Sequence, residues 1–367
     1  MATKKVRYAV VGVGNIAQMA VLPAFEHAKE NSELVALISS DPHKLEELGE
    51  HYRIEHRGSY EEFESVLRRA RADAVYIALP NTMHCEFTER AAKAGVHVLC
   101  EKPMAMSVSE CETMIRACQA ANVKLMIAYR LHFEEANLRA MEIARSGKLG
   151  KLRSFDSVFG HDVRPGDIRT RPDLGGGALF DMGIYCINAA RHLFGEEPID
   201  VVAFQTDHQE PELGGVDATT SALLRFPADK FATFTASQSS ADVDSYRIVG
   251  SEGVLRVEPA YTYRGDLKHY LTIGDRTTET LFTERDQFAP ELVTFSKCVL
   301  DDTEPEASGQ EGLADVRILK AIAKSARRGE VVQLRPFQRD VQPDLDQEIR
   351  KPPVENPKVV HAPPPHK

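Results

Sequence analysis

Three side chains in this sequence stand where they could do acid–base work. Lys102 follows the apolar run Val96-His97-Val98-Leu99 within Cys100-Glu101-Lys102-Pro103. It therefore sits at the carboxyl end of a strand, the edge at which open α/β sheets bind ligands. Pro103 restricts the residue before it to extended conformations and keeps Lys102 out of a helix. Asp181 and Tyr185 are four residues apart in a helix-like stretch, which puts both on one face. The preceding Gly175-Gly176-Gly177 suits a loop that approaches a substrate closely. Each residue also has an ordinary reading: a surface lysine before a turn, a helix-start carboxylate favoured by the dipole, and an amphipathic core tyrosine.

The elements that must position them begin with a glycine turn. A buried-strand pattern over residues 6–11 leads into Gly12-Val13-Gly14-Asn15-Ile16-Ala17 and then a helix-like segment. Gly12 allows the tight turn, Gly14 lets a pyrophosphate approach the backbone, and the small Ala17 lets the helix pack close to the strand. Asn15 and Ile16 open that helix, whose N-terminus faces the phosphates. After the second strand, Ser39 and Ser40 take the place of the acidic residue that would hold the ribose hydroxyls of NAD, and Lys44 follows. A 2′-phosphate fits that set better, so NADP is favoured, although Asp41 keeps NAD open.

Further strand-like runs at 34–38, 74–79, 96–99 and 124–129 alternate with helix-like stretches near 42–51, 60–69, 82–94 and 108–121. This is the pattern of an α/β protein with a doubly wound, parallel Rossmann sheet. Beyond about residue 150 come a strand-like stretch at 152–160, a helix near 178–194, short strands between 201 and 273, and helices near 288–300 and 309–328. They predict an α+β domain with an open, mostly antiparallel sheet. The expected division is 1–127 for dinucleotide binding, 128–335 for substrate binding and oligomerisation, and 336–367 as a proline-rich tail. Seven of the 20 prolines lie between Pro343 and Lys367, so the tail should be extended, either a disordered end or an arm over a neighbouring subunit.

Composition removes whole classes of function. The 367 residues are 43% hydrophobic and 27% charged, enough for two domains with real cores. A formal net charge of −10 provides no basic field for nucleic acid or anionic lipid. No apolar run approaches the roughly 18 residues of a membrane span. The start of the chain has no signal-peptide pattern, so it reads as cytoplasmic, or periplasmic if a signal preceded this numbering. The six cysteines form no Cys-x-x-Cys, and no metal signature accompanies them.

Taken together, the motifs resemble the glucose-fructose oxidoreductase, inositol dehydrogenase and rhizopine-catabolism oxidoreductase family, nearest its aldose oxidoreductase branch. The matching stretches are Gly12 to Ala17, Leu79-Pro80-Asn81-Thr82-Met83-His84, Glu101-Lys102-Pro103-Met104-Ala105, and Leu125 to Arg130. Gly175 through Tyr185, Glu311-Gly312 and Asp315-Val316-Arg317 complete the set. The resemblance implies that a cyclic aldose is oxidised at C1 to an aldonolactone by hydride transfer to the nicotinamide. Tyr185 would then be the acid–base group, Asp181 would hold sugar hydroxyls, and Lys102 would lower the tyrosine pKa from its ordinary value of about 10. It further implies that Leu79, Pro80, Asn81, His84, Glu101, Lys102, Arg130 and Arg169 line the cofactor, and that Lys102, Tyr129, Asp181 and Tyr185 contact the sugar. His132 is left unassigned. The expected assembly is a homodimer or homotetramer. The alternatives are a sugar or diol dehydrogenase with exchangeable cofactor, and a non-catalytic, dinucleotide-sensing regulator.

Overall fold

The structure, a computed structural model, describes every residue except 1–3, 207–213, 340, 356, 358 and 367. It divides into two compact units. One comprises the chain through Arg130 with Arg285–Leu313 and Ile349–Pro364; the other comprises Leu131–Glu284, Ala314–Glu348 and the C-terminal end from Pro365.

In the first unit β1 (Val6–Val11), β2 (Ser32–Ile38), β3 (His56–Gly58), β4 (Ala74–Ile77), β5 (His97–Glu101) and β6 (Leu125–Ala128) make one parallel sheet in the order 3-2-1-4-5-6. Crossover helices α1 (Leu22–His27), α2 (Pro42–His51), α3 (Phe63–Ala70), α4 (His84–Lys93) and α5 (Val108–Ala120) join the strands. β4 and β6 are buried along their whole length, the signature of a sheet covered on both faces. The winding direction reverses between β1 and β4, which opens a crevice at their carboxyl ends. β3 has no apolar pattern to announce it; His56, Arg57 and Gly58 pair with Ala36, Leu37 and Ile38 of β2.

The second unit starts with α6 (Glu135–Arg145), which the sequence reading passed over. Its sheet contains β7 (Leu152–Asp162), β8 (Asp200–Gln205), β9 (Thr219–Phe226), β10 (Lys230–Ser237), β11 (Ser239–Gly250), β12 (Gly253–Val257), β13 (Leu267–Ile273), β14 (Arg276–Phe282) and β15 (Val332–Gln333). The order is 14-13-12-11-7-10-9-8-15, antiparallel except where β7 meets β10. A π-helical turn, Leu179–Gly183, continues into α7 (Ile184–Phe194), and together they cover one face of the sheet. On that face Ala222, Leu224, Phe226, Ala232, Phe234 and Ala236 are buried. Alternation carries Val158, Phe204, Leu223 and Phe231 to the other face, where all four are exposed.

Late segments return to the first unit. α8 (Ala289–Asp301) packs on β1 and β2, with Ser296 Oγ 2.8 Å from the Tyr8 hydroxyl and 2.7 Å from the Ser32 hydroxyl. α9 (Gly309–Arg328) begins there as well: a Cβ at Gly312 would lie 2.8 Å from Ile127 and Met104 side-chain atoms. Residues 336–367 do not form a separate piece, because 349–364 belong to the first unit. No helix among the described residues is long and apolar enough to cross a membrane.

Candidate active site

The glycine turn separates two demands on its glycines. Gly12 has φ 86°, and a side chain there would collide with the Ala78 carbonyl, so the fold itself requires glycine. Gly14 is different: a Cβ there would meet nothing within 4 Å. Its open space fits the close approach of a phosphate to the backbone. The helix beyond opens at Asn15 and Ile16, and Ala17 is fully buried where it packs. At the end of β2, Asp41 Oδ1 accepts from the His43 and Lys44 amides at 3.0 and 3.2 Å and so caps α2. Ser40 is exposed and Lys44 partly so, while Ser39 is buried and accepts from the Asp41 amide at 3.2 Å. The residues present therefore fit a phosphorylated dinucleotide, with Asp41 engaged as a cap.

Next along the same edge, β4 ends at Ile77, Leu79-Pro80 follow it, and Asn81 opens a short 3₁₀ turn into α4. His84 is fully buried, its ring nitrogens 2.9 Å from the Pro103 and Leu79 carbonyls. Burial lowers its pKa, so the ring is neutral and donates to one of the two. The ring thereby ties the Leu79 and Pro103 loops together. Lys102, joined to Pro103 by a cis peptide bond, is half-buried, and its amide donates to Glu101 Oε2 at 3.2 Å. The Tyr76 hydroxyl donates to Glu101 Oε1 at 2.8 Å. Burial pushes the Glu101 carboxyl up, against the opposing Lys102 charge. Met104 packs against Gly312, which brings the start of α9 up behind the Lys102-Pro103 turn.

Beneath this edge Arg130 is buried and donates to Gln287. Glu291 is buried completely, and neither carboxyl oxygen has a hydrogen-bond partner among the described residues. Burial first, then the nearby Glu101, pushes its carboxyl well above the usual range, with Arg130 opposing. Tyr129 is also buried.

In the second unit Asp181 and Tyr185 are the half-buried members of a stretch whose intervening residues 182–184 are buried, so they emerge from one face as the spacing predicts. The local helix is not regular: Asp181 lies in the π turn and Tyr185 in α7. Such a turn re-aims side chains and often marks a functional stretch. Arg169 Nε donates to Asp181 Oδ2 at 2.9 Å, and its Nη1 donates to Asp167 at 3.1 Å. Burial works against the Arg169 charge, but Asp181 and Asp167 more than offset it and hold its pKa above the ordinary arginine value. The Tyr185 ring sits against Phe159 and Tyr261, with centroids 5.6 and 5.9 Å away.

The triple glycine has another explanation than substrate approach. Side chains at Gly176 and Gly177 would strike the Arg169 carbonyl and the Asp217 carboxylate, so packing inside the unit demands these glycines. Asp217 in turn accepts from the Leu179 amide at 2.8 Å and fixes the start of the π turn. Behind it, Asn188 and Arg191 of α7 bind Asp315 at 3.0 and 2.6 Å, and His132 Nε2 lies 3.0 Å from Asn188 Oδ1.

Comparison with known proteins decides the family. The oxidoreductase family model with an NAD-binding Rossmann fold matches residues 6–129, and the GFO/IDH/MocA C-terminal domain matches residues 137–256. A D-xylose 1-dehydrogenase [NADP(+)] of Haloarcula marismortui is 34% identical over 337 residues, 90% of this chain and 93% of the relative. The chain belongs to the GFO/IDH/MocA family of oxidoreductases. Among solved structures, the aldose-aldose oxidoreductase from Caulobacter crescentus, complexed with glycerol, superposes with a TM-score of 0.86 at 39% identity, over 90% of this chain and all of that one. A 3-ketoreductase from Actinomadura kijaniata, in complex with NADP and TDP-benzene, gives 0.81 at 27% identity, over 88% and 98% of the two chains.

Within this GFO/IDH/MocA chain, sequence reasoning missed several residues around the two sites. Asp167 and Asp217 lie in loops with no periodic signal. His161 of β7 lies against His366 in a tilted contact with centroids 3.8 Å apart, and burial pushes its imidazole down to about 4, with Asp181 opposing. The missed signal in β7 was Gly160-His161, a polar residue at the end of an alternating strand. Gln18, one position past the glycine turn, is fully buried despite its amide.

Proposed function

We propose that this protein is an NADP(H)-dependent aldose oxidoreductase that oxidises a cyclic aldose at C1 to an aldonolactone. The observation that carries the reading is the half-exposed Asp181–Tyr185 face, with Asp181 oriented by Arg169, in a chain that keeps Lys102 at the end of β5. A non-catalytic regulator needs none of these three groups. NADP is supported by the Ser39, Ser40 and Lys44 set, by the engagement of Asp41 as a helix cap, and by the NADP-named relatives.

When bound at the glycine turn, the nicotinamide supplies a hydride acceptor. The protein's own residues handle the rest. Tyr185 takes the proton from the C1 hydroxyl as the carbonyl forms and returns it in reduction. Asp181 accepts hydrogen bonds from neighbouring sugar hydroxyls, its carboxylate aimed by Arg169. Lys102 supplies a positive charge that favours the ionised oxygen. Re-oxidation of the cofactor by reduction of a second sugar to an alditol, with the cofactor retained between the two half-reactions, is the reading that the aldose-aldose name of that solved relative favours for the second substrate. The likeness to the xylose dehydrogenases favours instead a dehydrogenase with exchangeable cofactor. The exposure of Val158, Phe204, Leu223 and Phe231 on one side of the sheet supports self-association through that open face.

Purified protein is denatured and any released nucleotide identified; untreated protein is mixed with glucose or xylose while reduced-nicotinamide fluorescence is followed. Bound NADP(H) and a fluorescence rise on aldose addition are expected. Absence of nucleotide binding together with no response to any aldose would refute the proposal. Tyr185→Phe should lower turnover at least 10²-fold, a typical acid–base contribution, while nucleotide affinity stays the same.

A further inference from the structure

The C-terminal segment is built into the glycine turn. Gln18 Nε2 donates to the Val13 carbonyl at 2.8 Å and to the Val360 carbonyl at 2.9 Å, and Gln18 Oε1 accepts from the Val360 amide at 2.7 Å. Both amide donors of a buried glutamine are thus divided between the turn and the tail. Two residues on, Asn15 Nδ2 donates to the Ala362 and Pro363 carbonyls at 2.9 and 3.2 Å. Between these anchors His361 adopts a left-handed backbone, φ 46°, and reaches the end of β2. Its Nδ1 is 3.1 Å from Asp41 Oδ2, and its ring lies 4.6 Å from that of His43.

The tail therefore touches the turn on one side and the Ser39–Lys44 segment on the other, the two places that bound the adenosine half of a dinucleotide in the reading above. We propose that residues 359–363 are a strap over that half of the cofactor, pinned by Gln18, so that NADP(H) leaves only when the strap lifts. A buried amide left without partners is costly, which keeps the strap closed at rest. Prolines at 357 and 363–365 reduce the entropy lost on docking. The proposal rests on the assignment of the glycine turn as the cofactor site.

The test compares NADPH release, chased with excess NADP+ and followed by fluorescence, in the full chain, in a chain ending at Glu355, and in Gln18→Met and His361→Ala. Truncation and Gln18→Met should each accelerate release at least tenfold, with His361→Ala in between. Hydrogen exchange should show the Val360 amide protected further when NADPH binds to the full chain. Because Gln18→Met preserves length and volume, it keeps the test informative if the truncated chain folds poorly. Release rates unchanged in both variants would overturn the strap while leaving the cofactor site intact. Tighter binding by the truncated chain would also overturn it, since the tail would then be an occupant of the site rather than a cover. A full chain that binds no NADPH would overturn the site assignment itself, and the strap with it.

Discussion

Substituting alanine at Gly14 and at Gly12 tests the assignment of the cofactor turn most directly, because the two glycines are required for different reasons. At Gly14 an added methyl meets nothing within 4 Å and no left-handed backbone is involved. Gly14→Ala should therefore leave stability unchanged or raise it by about 0.4–1 kcal/mol through the unfolded chain. The same methyl occupies the space through which a phosphate reaches the turn. Losing one charge-assisted backbone hydrogen bond there costs about 1.5–3 kcal/mol. That corresponds to roughly 10- to 150-fold in Kd. At Gly12 the balance reverses: φ is 86° and the methyl collides with the Ala78 carbonyl. The left-handed conformation costs about 1–2 kcal/mol. Overpacking adds about 1–3 kcal/mol. Thermal unfolding of the free proteins and NADPH fluorescence titration separate the two effects. Gly14→Ala with the parent's Kd would refute the assignment of that space to phosphate, and Gly12→Ala with the parent's Tm would refute the packing argument.

Glu291→Gln reports on the buried carboxyl beneath the sheet edge. Its folded pKa is raised by burial, so the folded chain binds more protons than the unfolded one above the ordinary glutamate value of about 4.3. Stability then falls as pH rises from that value to the raised one and levels off beyond it. The substitution should raise Tm more at pH 8 than at pH 4.5, and a pH-independent difference would contradict the burial argument. On the open sheet face, Phe204 is 73% exposed on the side that also exposes Val158, Leu223 and Phe231, and Phe204→Asp should convert an assembly to monomer in sedimentation with Tyr185-dependent chemistry intact. An unaltered sedimentation coefficient would remove that face from the interface.

Much of the fold could be read from periodicity. Continuous apolar runs separated by amphipathic stretches give the parallel sheet, and alternation in residues 201–273 gives the second one. α6 and β3 were not legible for different reasons. The buried face of α6 is rich in alanine, with Leu138 and Met141 its large apolar residues, so its periodic signal is weak, whereas β3 has only His56, Arg57 and Gly58 and pairs with the backbone that β2 offers. The candidate site was legible where a residue type is chemically unusual at its place: a lysine at a strand end, and an acid and a tyrosine four apart. It was not legible where long-range packing sets the role. Gly176 and Gly177 are required by the packing of Arg169 and Asp217, His84 is sealed between two loops, and Asp41 caps α2.

The sequence alone determined the glycine turn, the parallel alternation and the Lys102, Asp181 and Tyr185 set, because these depend on local spacing and on φ preferences that act over a few residues. Only the tertiary structure decided that Gly14 guards open space while Gly12 fills a packed corner, that Arg169 aims Asp181, and that the proline-rich tail returns to Gln18 and Asn15. Those facts join residues as far as 348 positions apart, and local spacing carries no record of such contacts.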